Sequence, residues 1–310
     1  MAECYEKETL QVQLKLREFY ANPSIEELES SDVIIFHCPL DLAFLDVIDK
    51  PSIYYNHRSG RPTTFMFNEI MRMVEPIHRE VLKRDREWVN NKLKELHRKP
   101  DVILSNSKFT RRMLKKYFGV DSFVVYPSVD LNHFKPISPH PKRNYFLSVQ
   151  RIHWQKRIPL QLRIFEEVNE KLVIVGSYSE DLKTLTAETK NIEYLSEVNH
   201  KKLIHLYSNA KATIQTGYNE DFGLVPIESM ACGTPVICVN EGGFRETVNS
   251  KVGMLVDKPY LQNFKKALEN FNSENYDCKE LRKEAEKYSS DRFSEEMQKY
   301  VNLAVERHKK

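Results

Sequence analysis

The sequence predicts an α/β chain built from two parallel sheets, one in each half. Short apolar runs of strand length alternate with amphipathic helical stretches. The runs are rich in Val and Ile and apolar on both faces, as strands buried in a parallel sheet are. A proline-dense stretch, Asp130-Leu131-Asn132-His133-Phe134-Lys135-Pro136-Ile137-Ser138-Pro139-His140-Pro141, separates two sets of such runs and reads as a linker.

In chain order, a helix is expected over 9–20, with Leu10, Leu14 and Leu16 along it. The first set of strands follows at 33–36, 52–55, 102–105 and 123–126, with a helix at 107–118 capped by Asn106 or Ser107. After the linker come strands at 145–149, 172–175, 212–215 and 236–239, with a helix at 201–208. Phe293, Met297, Tyr300, Val301, Ala304 and Val305 have helical spacing. The domains are therefore expected at 1–139 and 140–290, with a C-terminal helix at 291–310 packing back on the first domain.

A length of 310 residues suffices for two domains with cores of their own. Hydrophobic residues make up 41% and charged residues 29%, which excludes a disordered chain. A net charge of +3 is too small to argue for nucleic acid. Five cysteines, Cys4, Cys38, Cys232, Cys238 and Cys278, form no C-x-x-C pair, so reduced thiols and a cytoplasmic location are expected, with no zinc site. The first residues are charged and do not read as a secretory leader. The apolar run 33–48 is broken by His37, Pro39, Asp41 and Asp46 and does not span a bilayer, which leaves peripheral contact with the cytoplasmic membrane face open. The basic region 79–116 reads either as a solvated helical face or as a surface for anionic lipid.

Seven of nine glycines (Gly176, Gly217, Gly223, Gly233, Gly242, Gly243 and Gly253) lie in the second half, mostly where a strand meets a helix. Ligands bind open α/β sheets at such junctions, so the second domain is expected to hold the nucleotide. The strand at 212–215 leads into a loop with Glu220, then Phe222, Gly223 and Leu224 at the start of a helix, with Pro226 in its first turn. The N–H groups near Gly223 and Leu224 can receive a phosphate. Glu220 stands before the helix, where it can accept hydrogen bonds from sugar hydroxyls. Glu228 stands one turn inside it, where it can accept them from a ribose. Alone, Glu220 would read as a carboxylate complementing the helix dipole and Glu228 as a solvated face; the whole stretch favours function.

The stretch Glu220-Asp221-Phe222-Gly223-Leu224-Val225-Pro226-Ile227-Glu228-Ser229-Met230-Ala231-Cys232-Gly233-Thr234-Pro235, followed by Gly242-Gly243 and Glu246-Thr247-Val248, resembles the E-x7-E signature of family 4 glycosyltransferases, retaining enzymes of the GT-B fold. It is similar to a mannosyltransferase branch of archaea and of bacterial polysaccharide clusters, and the resemblance runs from about residue 32 to 305. It implies a GT-B-like pair of Rossmann-like domains with parallel sheets facing a cleft. It also implies transfer of a hexose, mannose from GDP-mannose, to a hydroxyl acceptor on a lipid-linked or polysaccharide glycan. Arg151 and Lys156 match the family's diphosphate clamp, and two cations can neutralise the leaving β-phosphate. By the same resemblance Gly176 and the segment 191–198 hold the base, and Glu220 positions the donor sugar. His57 faces donor and acceptor across the cleft, with Arg61 on the acceptor side. Because the clamp works by charge and no D-x-D signature is seen, no metal or other cofactor is expected. Retention without a visible nucleophile implies front-face attack. The family's first strand and glycine-rich loop are not recognised before residue 33, so the first domain is expected to be shortened. That motivates the alternative of a donor-binding, catalytically weak subunit needing a partner. An epimerase fits the Arg-x4-Lys and E-x7-E pairing less well, and the absence of G-x-G-x-x-G disfavours an NAD enzyme.

Overall fold

The computed structural model describes residues 25–58, 76–137, 141, 143–177, 183, 184, 186 and 189–310. The helix expected over 9–20 lies outside the described residues, as do Gly60 and Arg61.

The first sheet contains β1 (Ile34–Phe36), β2 (Ser52–Asn56), β3 (Val102–Ser105) and β4 (Phe123–Val124) in spatial order β1-β2-β3-β4, all parallel. Around it run α1 (Ile25–Glu29), α2 (Pro76–Leu96) and α3 (Lys108–Phe118). Ser107 is the cap of α3, its hydroxyl accepting from Thr110 N–H, and Gly119 closes the helix at φ +71° with its N–H on Lys115 O. Asn106 has a different task, described below.

The second sheet has six strands: β5 (Phe146–Val149), β6 (Leu172–Val175), β7 (Ile192–Leu195), β8 (Ala212–Gln215), β9 (Val236–Val239) and β10 (Gly253–Val256). All pairings are parallel and the order is β10-β9-β8-β5-β6-β7. The intervening helices are α4 (Ile158–Glu167), α5 (His200–Asn209), α6 (Leu224–Ala231), α7 (Phe244–Thr247), α8 (Leu261–Glu269) and α9 (Cys278–Glu286). β6, β8 and β9 are buried along their whole length, which explains the unbroken apolar sequence of β6 and β9. β7 and β10, the two edges, were not expected from the sequence; each buries only part of its length.

Helix α10 (Ser290–His308) leaves the second domain and lies on the first sheet. Its Tyr300 and Ala304 share a core with Ile53, Tyr55, Val102, Leu104 and Val125, with Phe293, Met297 and Val301 packed against it. A buried aliphatic side chain of this kind contributes about 1.5–3 kcal/mol. The chain thus passes between the domains twice. The two passages touch where Val129 N–H meets Tyr288 O at 2.9 Å. Arg282 fastens the first passage through the carbonyls of Leu131 and Phe134 at 2.6 and 2.9 Å. Asp130 orders it further by accepting the N–H groups of Asn132 and His133. No helix among the described residues is long and apolar enough to cross a membrane.

Candidate active site

The order of the second sheet reverses at β5, which lies between β8 and β6. The loops leaving β5 and β8 diverge there and open a crevice at the carboxyl ends of the strands. The β5 loop carries Arg151 and Lys156, and the β8 loop carries Glu220. Lys156 Nζ lies 2.5 Å from Glu220 Oε2, with each side chain about one-fifth exposed. The next residue, Arg157, turns at φ +53° and sends its guanidinium onto both oxygens of Glu241 at 3.1 and 3.2 Å and onto Thr216 O at 3.1 Å. Its face lies 4.9 Å from the centre of the Tyr218 ring. A bidentate pair of this type fixes geometry as well as charge; it ties the β5 loop to the loop after β9, whose Glu241 also accepts Asn219 N–H of the β8 loop at 3.2 Å. Arg151 is exposed and has no ion-pair partner among the described residues.

The loop 220–223 is held by its main chain. Glu220 O accepts from Gly243 N–H at 2.7 Å. Asp221 O accepts from Ser107 Oγ, on the first domain, at 2.5 Å. Phe222 is only 3% exposed; its ring stacks on Tyr126 with centroids 5.6 Å apart and meets Tyr288 edge-on at 5.7 Å. Its ring anchors the loop, so only its main chain is available to a ligand. Gly223, at φ +94°, starts α6; a Cβ there would sit 2.7 Å from the Phe244 ring. Leu224 follows at the exposed amino end of α6. The Gly223 and Leu224 N–H groups stand at the helix start, where among the described residues no main-chain acceptor takes them and an anion can be received.

Glu228 is not the solvated helix residue that its isolated sequence allows. Its Oε2 accepts from the Tyr207 hydroxyl at 2.6 Å, and that hydroxyl comes from a fully buried ring on α5. Burial raises its carboxyl pKa, against the opposing effects of the Tyr207 bond and of His200. Gly176 ends β6 where a Cβ would lie 2.2 Å from Gln150 O, so glycine is required there by the approach of the β5 and β6 ends.

On the first domain His57 leaves β2, half-buried. Its Nε2 lies 2.8 Å from His37 Nδ1, and the two rings stack 5.0 Å apart. Tyr55 lies against it at 4.3 Å. Burial, and then the charges of His37 and Arg58, push the His57 pKa down to about 4. Burial also lowers that of His37. The His57 ring is therefore expected to stay neutral at pH 7. Its Cε1–H resonance should stay flat from pH 8 to about 5.5 and move only near pH 4; an inflection at about 6.5 would contradict this. The sign for stability follows: an unfolded histidine takes up its proton near pH 6.5 while this one does not, so stability is lost as pH falls from about 6.5 toward 4.

Asn106 Nδ2 donates to His57 O at 3.1 Å, and Ser107, the next residue, holds Asp221. Two consecutive residues therefore join the His57 loop to the Glu220 loop. Glu246 adds a second link: its carboxylate accepts the N–H groups of Lys108 and Phe109 at 2.8 and 2.7 Å and the Tyr126 hydroxyl at 3.1 Å. Sequence reasoning did not give roles to His37, Tyr207, Glu241 and Glu246. Glu246 lies in the stretch that carries the family resemblance, and only the position of Glu241 beside Gly242-Gly243 could have drawn attention to it. Among the described residues no group of three or more His, Cys, Asp and Glu could hold a metal ion. Cys38, Cys232, Cys238 and Cys278 are free thiols.

Residues 130–290 match the family described as Glycosyl transferases group 1, and residues 12–133 match Glycosyltransferase Family 4. The chain is 27% identical over 268 residues to the alpha-1,3/1,6-mannosyltransferase ALG2 of Mus musculus, covering 70% of this chain and 65% of that protein. It is 27% identical over 241 residues to the GDP-Man:Man(3)GlcNAc(2)-PP-Dol alpha-1,2-mannosyltransferase of Dictyostelium discoideum, covering 66% of this chain and 47% of that protein. The chain thus spans between about half and two-thirds of the length of these relatives. In structure it is similar to sucrose-phosphate synthase from Thermosynechococcus elongatus, with a TM-score of 0.74 and 18% identity over 90% of this chain and 77% of that one.

Proposed function

The chain belongs to the group 1 glycosyl transferases, and from that premise we propose that it is a retaining glycosyltransferase moving mannose from GDP-mannose to a hydroxyl of a lipid-linked or polysaccharide glycan. The observation that carries this reading is the Lys156–Glu220 pair at the switch point of the second sheet, beside the amino end of α6. Without a ligand the two side chains neutralise each other. A nucleoside diphosphate entering the crevice brings negative charge that competes with Glu220 for Lys156. Once Lys156 turns to the β-phosphate, the Glu220 carboxylate is released to accept hydrogen bonds from the sugar. Arg151, exposed on the same loop, adds the second cation, and the Gly223 and Leu224 N–H groups reach the phosphates from the helix end. This set stabilises the charge that develops on the leaving diphosphate, which is the largest demand of the reaction. Glu228, oriented by Tyr207, takes the ribose hydroxyls. Gly176 and the segment 191–198 adjoin the base, and His57 approaches the sugar from the first domain, with Arg61 on the acceptor side.

In this reading catalysis is by charge and orientation, without a metal or other cofactor. The names of the two mannosyltransferase relatives, one acting on a PP-Dol-linked glycan, support mannose as the sugar and a lipid-linked acceptor. Such an acceptor brings the chain to the cytoplasmic face of a membrane. Helix α2 offers that surface Trp88, which is 66% exposed, with Lys92 one turn further on the same face.

Calorimetry against GDP-mannose, UDP-glucose and UDP-N-acetylglucosamine tests the donor. GDP-mannose is expected to bind at least about tenfold tighter than either uridine donor, a difference of about 1.4 kcal/mol. Tighter binding of a uridine donor would replace the mannose reading, and no binding of any of the three would remove the transferase reading.

A further inference from the structure

The donor loop and the first domain meet through an arrangement that the proposed chemistry does not by itself require. The carbonyls of Glu220 and of Asp221 are each taken by a donor, one from each side of the cleft. Gly243 N–H, from the second domain, bonds Glu220 O at 2.7 Å. Ser107 Oγ, from the first domain, bonds Asp221 O at 2.5 Å, with Thr110 Oγ1 approaching the same oxygen at 3.5 Å. The two successive peptides after Glu220 are therefore held one by each domain, the first by Gly243 and the second by Ser107. Ser107 has no exposed surface, so water does not compete for its hydroxyl.

The same hydroxyl accepts Thr110 N–H at 2.9 Å as the cap of α3. The first two N–H groups of that helix, those of Lys108 and Phe109, are taken by the Glu246 carboxylate across the domain boundary. Glu246 stands three residues after Gly243, the residue that bonds Glu220 O. The amino end of α3 is thus completed by the second domain, and the donor loop is completed by α3. Formation of the interdomain contact and alignment of Glu220 become one event.

We propose that Ser107 is a positioning residue for the transfer reaction: its hydroxyl, through Asp221 O, sets the aim of Glu220 when the two domains meet, with Glu246 holding the helix that carries it. The proposal rests on the transferase reading for its effect on turnover, but not for its effect on the loop.

Ser107→Ala removes both the bond to Asp221 and a helix cap. The control is Gly119→Ala, which weakens the same helix at its other end by placing a side chain at φ +71°, where nothing lies within 4 Å of the new Cβ. Three quantities are measured: amide hydrogen exchange over 217–224, the Kd for GDP, and kcat for GDP-mannose read as GDP released. For Ser107→Ala, exchange is expected to rise and kcat to fall, each by about tenfold or more, as for loss of a buried hydrogen bond, with Kd for GDP within about twofold. For Gly119→Ala all three are expected to stay within about twofold despite a lower melting temperature. Ser107→Ala with unchanged exchange overturns the proposal, and so does an equal change in Gly119→Ala. If Ser107→Ala does not fold, Glu246→Gln, which keeps the shape but drops the charge on the α3 amino end, is expected to show the same separation of kcat from Kd. Wild-type behaviour of that variant would equally overturn the proposal. Failure of the transferase reading looks different: the wild-type chain then neither binds GDP nor consumes GDP-mannose, while the contrast in hydrogen exchange remains.

Discussion

Lys156→Ala and Glu220→Gln are expected to act in opposite directions on nucleotide affinity. Loss of Lys156 should weaken GDP binding by about ten- to a hundredfold, the value of one charge-assisted contact of about 1.5–3 kcal/mol. Loss of the Glu220 charge should leave GDP binding equal or tighter, because Lys156 is then no longer neutralised by a carboxylate 2.5 Å away. Turnover of GDP-mannose should nevertheless fall about 10²–10³-fold in Glu220→Gln, as for removal of a preorganised polar group acting on the transition state. Both side chains are partly solvated, so the attraction between them is moderate and a diphosphate can displace it. Calorimetry with GDP and steady-state rates with GDP-mannose measure the two effects separately. Parallel losses of affinity in both variants would show that the pair is a structural bridge and not an exchange site.

Gly243→Ala is the second large effect. Its backbone is helical, at φ −71°, so alanine is conformationally acceptable and the cost is purely steric. A Cβ at this position would lie 2.5 Å from Phe222 Cα, 2.7 Å from Asp221 O and 2.8 Å from Phe222 O. All three are main-chain atoms, which cannot turn aside as the end of a side chain can. The donor loop must move away, and with it the bond from Gly243 N–H to Glu220 O. Overpacking of this kind costs about 1–3 kcal/mol. The midpoint of urea unfolding should fall accordingly with an unchanged slope, and donor binding should fall with it. Gly217→Ala is the comparison: its Cβ would meet the Glu220 carboxylate end at 3.3 Å, which can yield. It should be the milder substitution in both assays, and an equal loss would place the effect elsewhere than in the loop backbone.

The fold was legible where burial is complete. The runs 172–175 and 236–239 are apolar throughout because both faces of β6 and β9 are covered, and β8 is buried along its whole length although Thr213 and Gln215 interrupt its apolar run. The edge strands β7 and β10 were not legible. β7 alternates Ile192 with a half-exposed Glu193, and β10 starts on a glycine, so neither has the unbroken Val and Ile pattern. Site residues were readable where a local motif carries them, as with Glu220 and Lys156. The contacts that complete the site join residues far apart in sequence: Ser107 reaches Asp221 across 114 positions, and Glu246 reaches Phe109 across 137. Such pairs leave no periodic trace. Glu228 shows the converse limit, since its place on α6 was readable but the buried Tyr207 that changes its acidity was not.

The placement of α10 has a consequence for how the chain acquires its structure during synthesis. The second domain is a continuous segment, and its core can close as soon as that segment has left the ribosome. The first sheet emerges earlier, yet Ile53, Tyr55, Val102 and Leu104 receive Tyr300 and Ala304 only after the whole of the second domain has been made. The order of maturation is therefore the reverse of the order of translation. Until then the early sheet keeps an apolar face uncovered, which makes it the part of the nascent chain most in need of a chaperone.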